Sequence, residues 1–591
     1  MKKIFKNIVS LAVLAVIGGG MFSSCSDEHM IEVNTDDTKT PNVNPNNLLT
    51  TGMLQTYGDF DMMDTYRCYI TGFAQYYSGG WNVATYAGQN MQNNEYSRKM
   101  WDKLYGVALK NIVQGIHDSA DKPNVNSAMR IYRVYLLSMI VDTYGDAPCK
   151  EAGLASISGV RYPKYDTQEE AYKFFFEELK DAVSKFKDGG DKISGDVSTM
   201  GGSITQWKKF ANSLRMRFAM RISEVDPEWA QKEFEEAYKT NLYISKPADN
   251  VMVKYLKKSF TFYKGAEELD FRMNALAEML YGQDPTSPTF ICKTLYKYME
   301  SKNDPRLSRI ARCYLNPTRI ETGAEGYYDM TDDIIAWGKE KRESDPSSKA
   351  GIQPNEVGEA WYNAWPTIPE PKEIPEFERL VNENPIFNES NFPARMTRPF
   401  LNIAFNQADC PGVVFTSAET LFLLAEAAHN GWKVDKEAED YYKSGVQESM
   451  EFLNSNYSIK AITDGEIKDY INANPIGSNP KESINLQAWI LHMTNPVEGW
   501  ANQRRSNYPL LRDRRDVPNE ANMSLGEDFN KMTVPCRLKY PMLEEENNAA
   551  NYKEATARQK DADGQYSWHA RVWWDVKDTE YFEKDAPWYN Q

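Results

Sequence analysis

Amphipathic segments joined by short connections constrain the fold of this chain more than any other feature. In residues 205–224, apolar side chains recur at three- and four-residue spacing, which places them on one face of a helix: Trp207, Phe210, Leu214, Phe218 and Ile222. Residues 97–119 repeat this pattern, and residues 127–146 are apolar on nearly every side. The sequence therefore predicts an all-α fold.

Helix-end signals accompany these segments. Ser127 is a candidate N-cap and Gly145 a candidate stop for the most apolar helix. Thr167 and Glu170 have capping-box spacing at the start of a further helix, residues 167–188. Four helices paired by short loops are therefore expected in the first 225 residues.

A later helical pair is expected at residues 417–432 and 436–454, with a turn at Gly431. Small residues that would let the two helices approach closely are Ala425, Ala428 and Ala438. The pair resembles a tetratricopeptide unit, and a generic helical hairpin is the alternative. We predict a scaffold of paired helices at about 97–240 and 415–455.

Residues 283–412 differ because they are rich in proline, including Pro285, Pro288, Pro354, Pro366, Pro369, Pro371, Pro375, Pro385 and Pro393. Long helices cannot run through such a tract, so we predict long irregular loops with a few short helices. Loops held on a rigid scaffold commonly carry binding residues. This tract is therefore the predicted ligand or partner region.

The N-terminus is basic and is followed by an uncharged apolar run of fifteen residues. A helix that crosses a bilayer needs about 20 residues, so a signal peptide fits better than a retained span. Ser23 and Ser24 precede Cys25, and this order resembles a bacterial lipobox, in which the cysteine carries lipid. We predict a lipoprotein signal peptide at 1–24 and lipid attachment at Cys25. An ordinary secretory peptide is the alternative.

Residues 25–50 are rich in Asn, Asp, Thr and Pro and predict a flexible tether from the lipidated cysteine. A single helical domain is predicted for residues 51–591. The formal net charge is −16 and no basic tract balances it. Nucleic acid and anionic lipid are therefore poor partners for this surface.

The cysteines beyond Cys25 are far apart and form no CxxC pair: Cys68, Cys149, Cys292, Cys313, Cys410 and Cys536. They predict buried thiols rather than a disulfide framework or a zinc site. The histidines lack metal-ligand spacing and are interpreted as surface or helix-end residues: His29, His117, His429, His492 and His569. Residues 561–564 (DADG) predict a polar turn rather than a calcium loop.

Common catalytic motifs are missing from the sequence. There is no P-loop, no dinucleotide-binding glycine pattern, no Gly-x-Ser-x-Gly elbow and no His-Glu-x-x-His. No cofactor and no metal is predicted. The 84 acidic residues leave the carboxylate pair of a glycosidase open as an alternative.

Residues 72–90 combine aromatic, amide and glycine residues. Exposed rings stack on the apolar faces of sugars while amides bind hydroxyl groups, so this segment predicts a ligand platform. Its predicted ligand residues, around Gly79 and Gly80, are Tyr77, Trp81, Asn82 and Tyr86. The alternative is that Tyr76 and Tyr77 end a helix and pack inward.

A second aromatic cluster lies in the proline-rich tract at residues 358–366 (GEAWYNAWP), and its predicted ligand residues are Trp361, Tyr362 and Trp365. Arg504 and Arg505, near Trp500, are equally conspicuous. We predict that these arginines anchor a helix end by ion pairs and stacking.

Six segments, in this order, resemble a known family: QYYSGGW (75–81), YRVYLLSMIVDTYGDAPCKEA (132–152), RYPKYDTQEEAYKFFFEELKDA (161–182), WKKFANSLRMRFAMRIS (207–223), FTSAETLFLLAEAAHNGW (415–432) and WANQRRSNYPLL (500–511). Together they resemble the SusD/RagB-type outer-membrane lipoproteins of Bacteroidetes over nearly the entire mature chain. Asp27 and Glu28 resemble the signal that sends such lipoproteins to the cell surface.

The resemblance implies tetratricopeptide-like helix pairs with long loops that carry the ligand site. It also implies a lipid-anchored protein on the outer leaflet of the outer membrane that binds a nutrient glycan without cleaving it. The implied partner is a SusC-like TonB-dependent barrel that imports the glycan. A peptide-binding RagB-type protein, a surface glycoside hydrolase and a protein-binding tetratricopeptide adaptor are the alternatives.

Overall fold

The computed structural model describes residues 43–79, 83–257, 271–280, 289–315, 328–359, 366–383, 395–512 and 534–576. Their α-helices are Pro45–Gly58 (α1), Phe60–Thr65 (α2), Thr71–Phe73 (α3), Asn94–Lys103 (α4), Lys110–Asp118 (α5), Pro123–Tyr144 (α6), Ala155–Ser158 (α7), Gln168–Lys185 (α8), Ile204–Arg221 (α9), Pro227–Lys239 (α10), Ala275–Leu280 (α11), Lys293–Ser301 (α12), Leu307–Ile310 (α13), Thr331–Ser344 (α14), Pro375–Glu383 (α15), Ser417–His429 (α16), Ala438–Asn456 (α17), Asp464–Ala473 (α18), Pro480–Leu491 (α19), Pro496–Ser506 (α20), Met542–Asn547 (α21) and Ala549–Arg558 (α22). Three π-helical turns are Tyr66–Ile70, Val83–Gly88 and Leu104–Leu109, and 3₁₀ turns are Pro247–Asp249, Pro371–Glu373, Ile403–Phe405 and His492–Thr494.

Helices that are close to one another along the chain pack together. α6 packs against α8, α9 against α10, α16 against α17, and α19 against α20. The predicted all-α fold is confirmed, and the expected pair at 417–432 and 436–454 corresponds to α16 and α17. No helix of the described residues is both long and apolar enough to cross a membrane.

The predicted ends of two helices are confirmed in part. At the start of α8, the Thr167 hydroxyl accepts from the Glu170 amide at 3.2 Å and the Thr167 amide donates to the Glu170 carboxylate at 2.9 Å, which confirms the capping box. Gly145 ends α6 with φ of +88°, as predicted. α6 begins at Pro123, however, because proline suits the first helical turn, and Ser127 is buried inside the helix.

The last turn of α20 confirms the prediction for its two arginines. The Arg504 guanidinium lies over the Trp500 ring, 3.8 Å from its centroid. Arg505 donates to both carboxylate oxygens of Glu426 at 2.5 and 2.7 Å. The buried bidentate ion pair therefore fastens this helix end to α16, while the cation–π contact holds the Arg504 side chain against its own helix.

The proline-rich tract contains more regular structure than predicted. The helix α14 spans 14 residues, and it fits because no proline lies between Pro317 and Pro346. The other helices of the tract, α12, α13 and α15, have nine residues or fewer. A small apolar core around Ile334, Trp337 and Phe377 holds this part together.

The structure contains short strands that the sequence did not predict. They are Tyr77–Ser78 (β1), Val251–Val253 (β2), Phe290–Ile291 (β3), Ala311–Arg312 (β4), Tyr314–Leu315 (β5), Tyr328–Asp329 (β6), Phe400–Leu401 (β7) and Gly412–Phe415 (β8). Four of them form a sheet in the order β1-β3-β7-β4. Strands of two residues cannot display the alternating pattern by which strands are recognised in a sequence.

One large apolar core runs through the unit that begins at Pro45. Close helix contacts depend on small residues, as at Gly445 of α17, which lies against the Phe422 ring of α16. The six cysteines of this unit are buried and form no disulfide, which confirms the predicted thiols. The predicted boundary at residue 24 stays a prediction. The predicted tether, residues 25–50, overlaps the described fold, because α1 begins at Pro45 and Leu49 is buried in the core.

Residues 534–576 return to the first half of the chain. The Leu538 amide donates to the Thr143 carbonyl at 2.8 Å, and the Trp574 indole donates to the Asp142 carboxylate at 3.0 Å. Asp561 accepts from the amides of Asp563 and Gln565 at 3.0 and 2.8 Å, so residues 561–564 form the predicted polar turn.

Candidate functional site

Buried aromatic packing fastens the first aromatic segment to the helical scaffold. Tyr76 is stacked on Trp489 with ring centroids 4.8 Å apart, and its hydroxyl donates to the Trp489 carbonyl at 2.7 Å. Tyr77 is 1% exposed, and its hydroxyl donates to the Met493 carbonyl at 3.4 Å. Burial raises the pKa of both tyrosines, so both act as neutral donors.

Gln75 fixes the backbone directly ahead of these tyrosines. Its φ is +57°, in the left-handed region that few residues other than glycine adopt. The buried amide oxygen accepts from the Thr294 hydroxyl at 2.6 Å and from the Arg512 amide at 2.8 Å, and the amide nitrogen donates to the Arg512 carbonyl at 2.9 Å. Three hydrogen bonds therefore hold a backbone conformation that costs free energy on its own.

The strands β1 and β3 determine where the chain leaves the helical scaffold before residues 80–82. We call this point the exit. They are antiparallel, with Ser78 opposite Phe290, so the chain leaves β1 at the end where it enters β3. Gly79 follows with φ of +74°, and a Cβ at this position would lie 2.0 Å from the Phe290 ring. Glycine is therefore required where the chain turns toward residues 80–82.

The backbone of Asn355 joins the second aromatic segment to this exit. Its carbonyl accepts from the Lys293 amide at 2.7 Å and from the Ser78 hydroxyl at 3.3 Å. The Asn355 side chain in turn donates to the Glu359 carbonyl at 3.3 Å. One buried asparagine thus links β1, α12 and the residues that lead into the second segment.

Gly88 makes a further contact between the two segments. It ends the π-helical turn Val83–Gly88, and a Cβ on it would lie 2.3 Å from the Val357 carbonyl oxygen and 2.7 Å from Gly358. Residues on both sides of 80–82 therefore contact residues 355–359, through the Ser78 hydroxyl on one side and the Gly88 backbone on the other. We call residues 75–79, 290–293 and 355–359 together the loop base.

Charged groups of the loop base are paired within it or with arginines beside it. Lys293 pairs with Glu356 at 2.9 Å, and Arg398 pairs with Glu359 at 2.9 Å. Arg512 lies 3.7 Å from the second oxygen of Glu356. The residues that leave the base, 80–82 and 360–365, contain tryptophan, tyrosine and asparagine and no charged residue.

The structure describes only two of the predicted ligand residues. The five that lie outside the described residues are Trp81, Asn82, Trp361, Tyr362 and Trp365. Their described neighbours in sequence, Gly79 and Glu359, both belong to the loop base. The backbones that lead into the two predicted aromatic segments are thus in contact, which the sequence did not reveal.

Tyr77 and Tyr86 require a correction. Tyr86 is 8% exposed, and its ring centroid lies 5.0 Å from that of Tyr96 and 6.0 Å from that of Tyr69. Neither Tyr77 nor Tyr86 offers a free ring face for stacking, because both rings fill the core beneath the exit. The inward-packing interpretation is correct for Tyr76 and Tyr77.

Sequence reasoning missed the polar residues that build the loop base and the arginine that binds to it. Gln75, Asn355, Glu359 and Arg398 look like ordinary polar residues in a single sequence, because each acts through a partner tens or hundreds of positions away. A weak signal was available at Gln75 and Glu359, which lie inside the two aromatic segments, close to their tyrosines and tryptophans. Nothing in the sequence showed which residues they meet.

A separate cluster of carboxylates and an imidazole lies in the core. Glu419, His492 and Glu498 place ligand atoms within 4.8 Å of one another. Arg217 donates to both oxygens of Glu419 at 2.6 and 2.7 Å, and Arg221 donates to Glu498 at 2.6 Å. These guanidinium groups occupy the carboxylates and would repel a cation, so the cluster suits buried ion pairing and does not fit a metal.

His492 in this cluster lies at the end of α19, as predicted, but it is buried. Burial, opposed by the nearby Glu498, lowers its pKa to about 3, so the imidazole is neutral at physiological pH.

Comparisons with known proteins place this geometry in context. The family model described as "Starch-binding associating with outer membrane" (SusD-like) matches residues 37–362 and 382–541. A solved structure titled as a Bacteroidetes AC2a SusD-like protein is 36% identical, with a TM-score of 0.79, and the match covers 90% of this chain and 100% of that one. No curated protein matches the chain.

Two further solved structures are similar. A chitin-binding protein is 28% identical with a TM-score of 0.69, and the match covers 90% of this chain and 100% of that one. A SusD homolog from Bacteroides uniformis is 22% identical with a TM-score of 0.63 and coverage of 90% and 99%, a likeness that concerns the fold alone. With a family model matched over most of its length and a similar SusD-like structure above 30% identity, the chain belongs to the SusD-like family.

Proposed function

We propose that this protein is a lipid-anchored cell-surface protein that binds a nutrient glycan without cleaving it and delivers it to a SusC-like TonB-dependent barrel. The family description, starch binding in association with the outer membrane, supports glycan binding and this location. The similar chitin-binding protein supports a carbohydrate ligand in particular. Lipid attachment at Cys25, the absence of cleavage and the transporter partner are parts of the proposal.

The observation that carries the proposal is the shared loop base. Residues 80–82 and 360–365 together supply three tryptophans, one tyrosine and two asparagines, and they leave the described fold at neighbouring points. Aromatic faces and amide groups are the chemistry that a sugar ring requires. We therefore propose Trp81, Asn82, Trp361, Tyr362 and Trp365 as ligand residues.

Binding assays on the protein lacking residues 1–25 test the ligand class. Maltoheptaose, chitohexaose, a panel of polysaccharides and a panel of peptides are titrated by calorimetry, and the glycans are examined afterwards for shorter products. Binding of a glycan without product release is expected. Product release would support the hydrolase alternative, and binding of peptides only would support the RagB-type alternative.

Substitution of the proposed rings tests the position of the site. Trp81→Ala and Trp361→Ala are each expected to weaken glycan binding about tenfold, because each removes one stacking face. Tyr162→Ala is the matched control, since Tyr162 is an aromatic residue that is 67% exposed and lies outside the loop base. Unchanged affinity in both tryptophan variants would refute this position.

Mass spectrometry of the mature N-terminus tests the anchor. An acylated Cys25 as the first residue is expected, with loss of membrane association in Cys25→Ala. Purification from detergent-solubilised outer membranes tests the partner, and a TonB-dependent barrel is expected to co-purify. An unmodified Cys25, or purification without a barrel, would contradict the respective part of the proposal.

A further inference from the structure

Hydrogen bonds hold both ends of the second aromatic segment. At its start, the Glu359 carboxylate accepts from Arg398 at 2.9 Å and from the Glu356 amide at 3.1 Å. At its end, the Thr367 amide donates to the Gln353 side chain at 3.1 Å, and the Gln353 amide group donates to the Thr367 carbonyl at 2.6 Å. The chain between Glu359 and Thr367 is thus held at both ends.

Arg398 connects the hydrogen bonds at the two ends of the segment. Its guanidinium donates to the Gln353 carbonyl at 3.1 Å as well as to Glu359. The backbone amide of Gln353 also donates to the Thr397 carbonyl at 2.8 Å, so Gln353 is bound through both its backbone and its side chain. We call Gln353, Glu359 and Arg398 the loop clamp.

We propose that the loop clamp positions the proposed glycan-binding segment, so that Gln353, Glu359 and Arg398 are positioning residues for ligand affinity. This inference rests on the proposed function. A segment whose ends are already ordered loses less conformational freedom when it binds a ligand, and the affinity is higher for that reason. The clamp residues act through residues 360–365 rather than by touching the glycan.

Burial and contacts separate this role from that of an ordinary surface ion pair. Arg398 is 5% exposed, and the Glu359 side chain is 22% exposed. Exposed ion pairs contribute little because water screens them and their side chains stay mobile. Here the buried guanidinium is fixed between a carboxylate and a backbone carbonyl, so removing one partner changes the position of the chain ends.

The test compares Gln353→Ala and Glu359→Ala with the matched control Gln407→Ala in the full mature protein. Gln407 also uses its side-chain amide to bind a backbone carbonyl, that of Ile403 at 2.8 Å, but it makes no contact with the clamp. Maltoheptaose and chitohexaose are the probes, titrated by calorimetry and by stopped flow well below the melting temperature, where every variant is folded.

Each clamp variant is expected to bind about tenfold more weakly than the native protein, with a more unfavourable binding entropy and a slower association rate. Glu359→Gln keeps one acceptor oxygen for Arg398 and is expected to recover part of the affinity that Glu359→Ala loses. A purely structural role would lower the melting temperature without changing the entropy and association rate of the folded protein.

The outcomes separate this inference from the proposed function. If the native protein binds neither oligosaccharide, nor any glycan of the wider panel, the proposed function fails. If the native protein binds and both clamp variants bind as tightly as Gln407→Ala, the clamp proposal is overturned while glycan binding stands. An equal loss in Gln407→Ala would also overturn it, since the effect would not depend on the clamp.

Discussion

The close approach of Gly88 to the loop base leaves no room for a Cβ atom. Alanine at this position would place Cβ 2.3 Å from the Val357 carbonyl oxygen, a backbone atom that cannot rotate away. The two backbones would have to move apart, and such overpacking typically costs about 1–3 kcal/mol. Both predicted ligand segments would then lose their common support.

We expect Gly88→Ala to lower the melting temperature and to weaken glycan binding. Gly106→Ala is the matched control, because Gly106 also lies in a π-helical turn but a Cβ there meets no atom within 4 Å. Thermal unfolding and calorimetry of both variants provide the measurement. Equal behaviour of the two variants would show that the close approach at Gly88 has no consequence.

Glu426 gives a prediction on pH. Its pKa is lowered to about 2, because the ion pair with Arg505 outweighs the opposing effect of burial. The native pKa is below the unfolded value of about 4.5, so this carboxylate stabilises the fold above pH 4.5, and the stabilisation is lost as the pH falls toward 2.

Glu426→Gln is therefore expected to lower the free energy of unfolding by roughly 3 kcal/mol at pH 7. The difference from the native protein should shrink as the pH decreases from 4.5 toward 2, because the carboxyl group of the unfolded chain then binds a proton while the native one is still ionised. Urea unfolding of both proteins from pH 3 to pH 7 measures this difference. A difference that is independent of pH would contradict the ion-pair explanation.

Single residues differ in how far their roles could be predicted. The roles of Arg504 and Arg505 were predicted because adjacent arginines near a tryptophan have few stable arrangements at a helix end. The rings of Tyr77 and Tyr86 were placed wrongly because an aromatic residue beside glycines suits both an exposed loop and a core. Long-range packing against Met493 and Tyr96 decides between the two, and the sequence does not contain that information.

At the scale of helices, the pair α16 and α17 depends on a residue without a side chain. A Cβ at Gly445 would lie 2.7 Å from the Phe422 ring of the facing helix. Glycine is otherwise unfavourable inside a helix by roughly 0.5–1 kcal/mol relative to alanine. Close packing of the two helices explains why it is found here.

We expect Gly445→Ala to destabilise the protein by about 1–3 kcal/mol, since the gain in helix propensity is smaller than the cost of the contact. Gly465→Ala in α18 is the matched control, because the nearest atom to its Cβ would be 3.9 Å away. This control should leave stability unchanged or raise it by about 0.5 kcal/mol. Stabilisation by both changes would show that the Phe422 ring can move aside to accommodate a Cβ at position 445.

Elements could be predicted where their signal is local. Helices with capping residues and apolar stripes, such as α8 and α9, follow from contacts three or four residues apart. The strands β1, β3, β4 and β7 consist of two residues each and exist only because distant segments meet. The sheet that orients the loop base therefore could not be predicted from periodicity.

At the scale of the whole molecule, the C-terminal residues complete the core of the N-terminal helices. Asp142 is buried in α6, and it accepts from the Trp574 indole at 3.0 Å and from the Tyr172 hydroxyl at 2.6 Å. Burial raises the pKa of this carboxyl group. The hydrogen bonds from the two donors offset part of the free-energy cost of burying it. Chain regions more than 400 positions apart thus share one polar contact.

Trp574→Phe is expected to lower the free energy of unfolding by about 1–2 kcal/mol, because Asp142 loses one donor while most of the apolar ring is kept. Trp573→Phe at the neighbouring, partly exposed position serves as the control. Unfolding should remain a single transition in both variants if the two halves unfold together. Two separate transitions in the native protein would contradict a shared core.

The buried cysteines have a practical consequence for spectroscopy. Burial raises the pKa of Cys68 and of Cys536 to about 12, and the other four cysteines are buried as well. In a recombinant form that begins after Cys25, a maleimide dye should react only with a cysteine introduced at an exposed position such as Tyr162. The folded protein is therefore ready for single-site fluorescence labelling without removal of its native thiols.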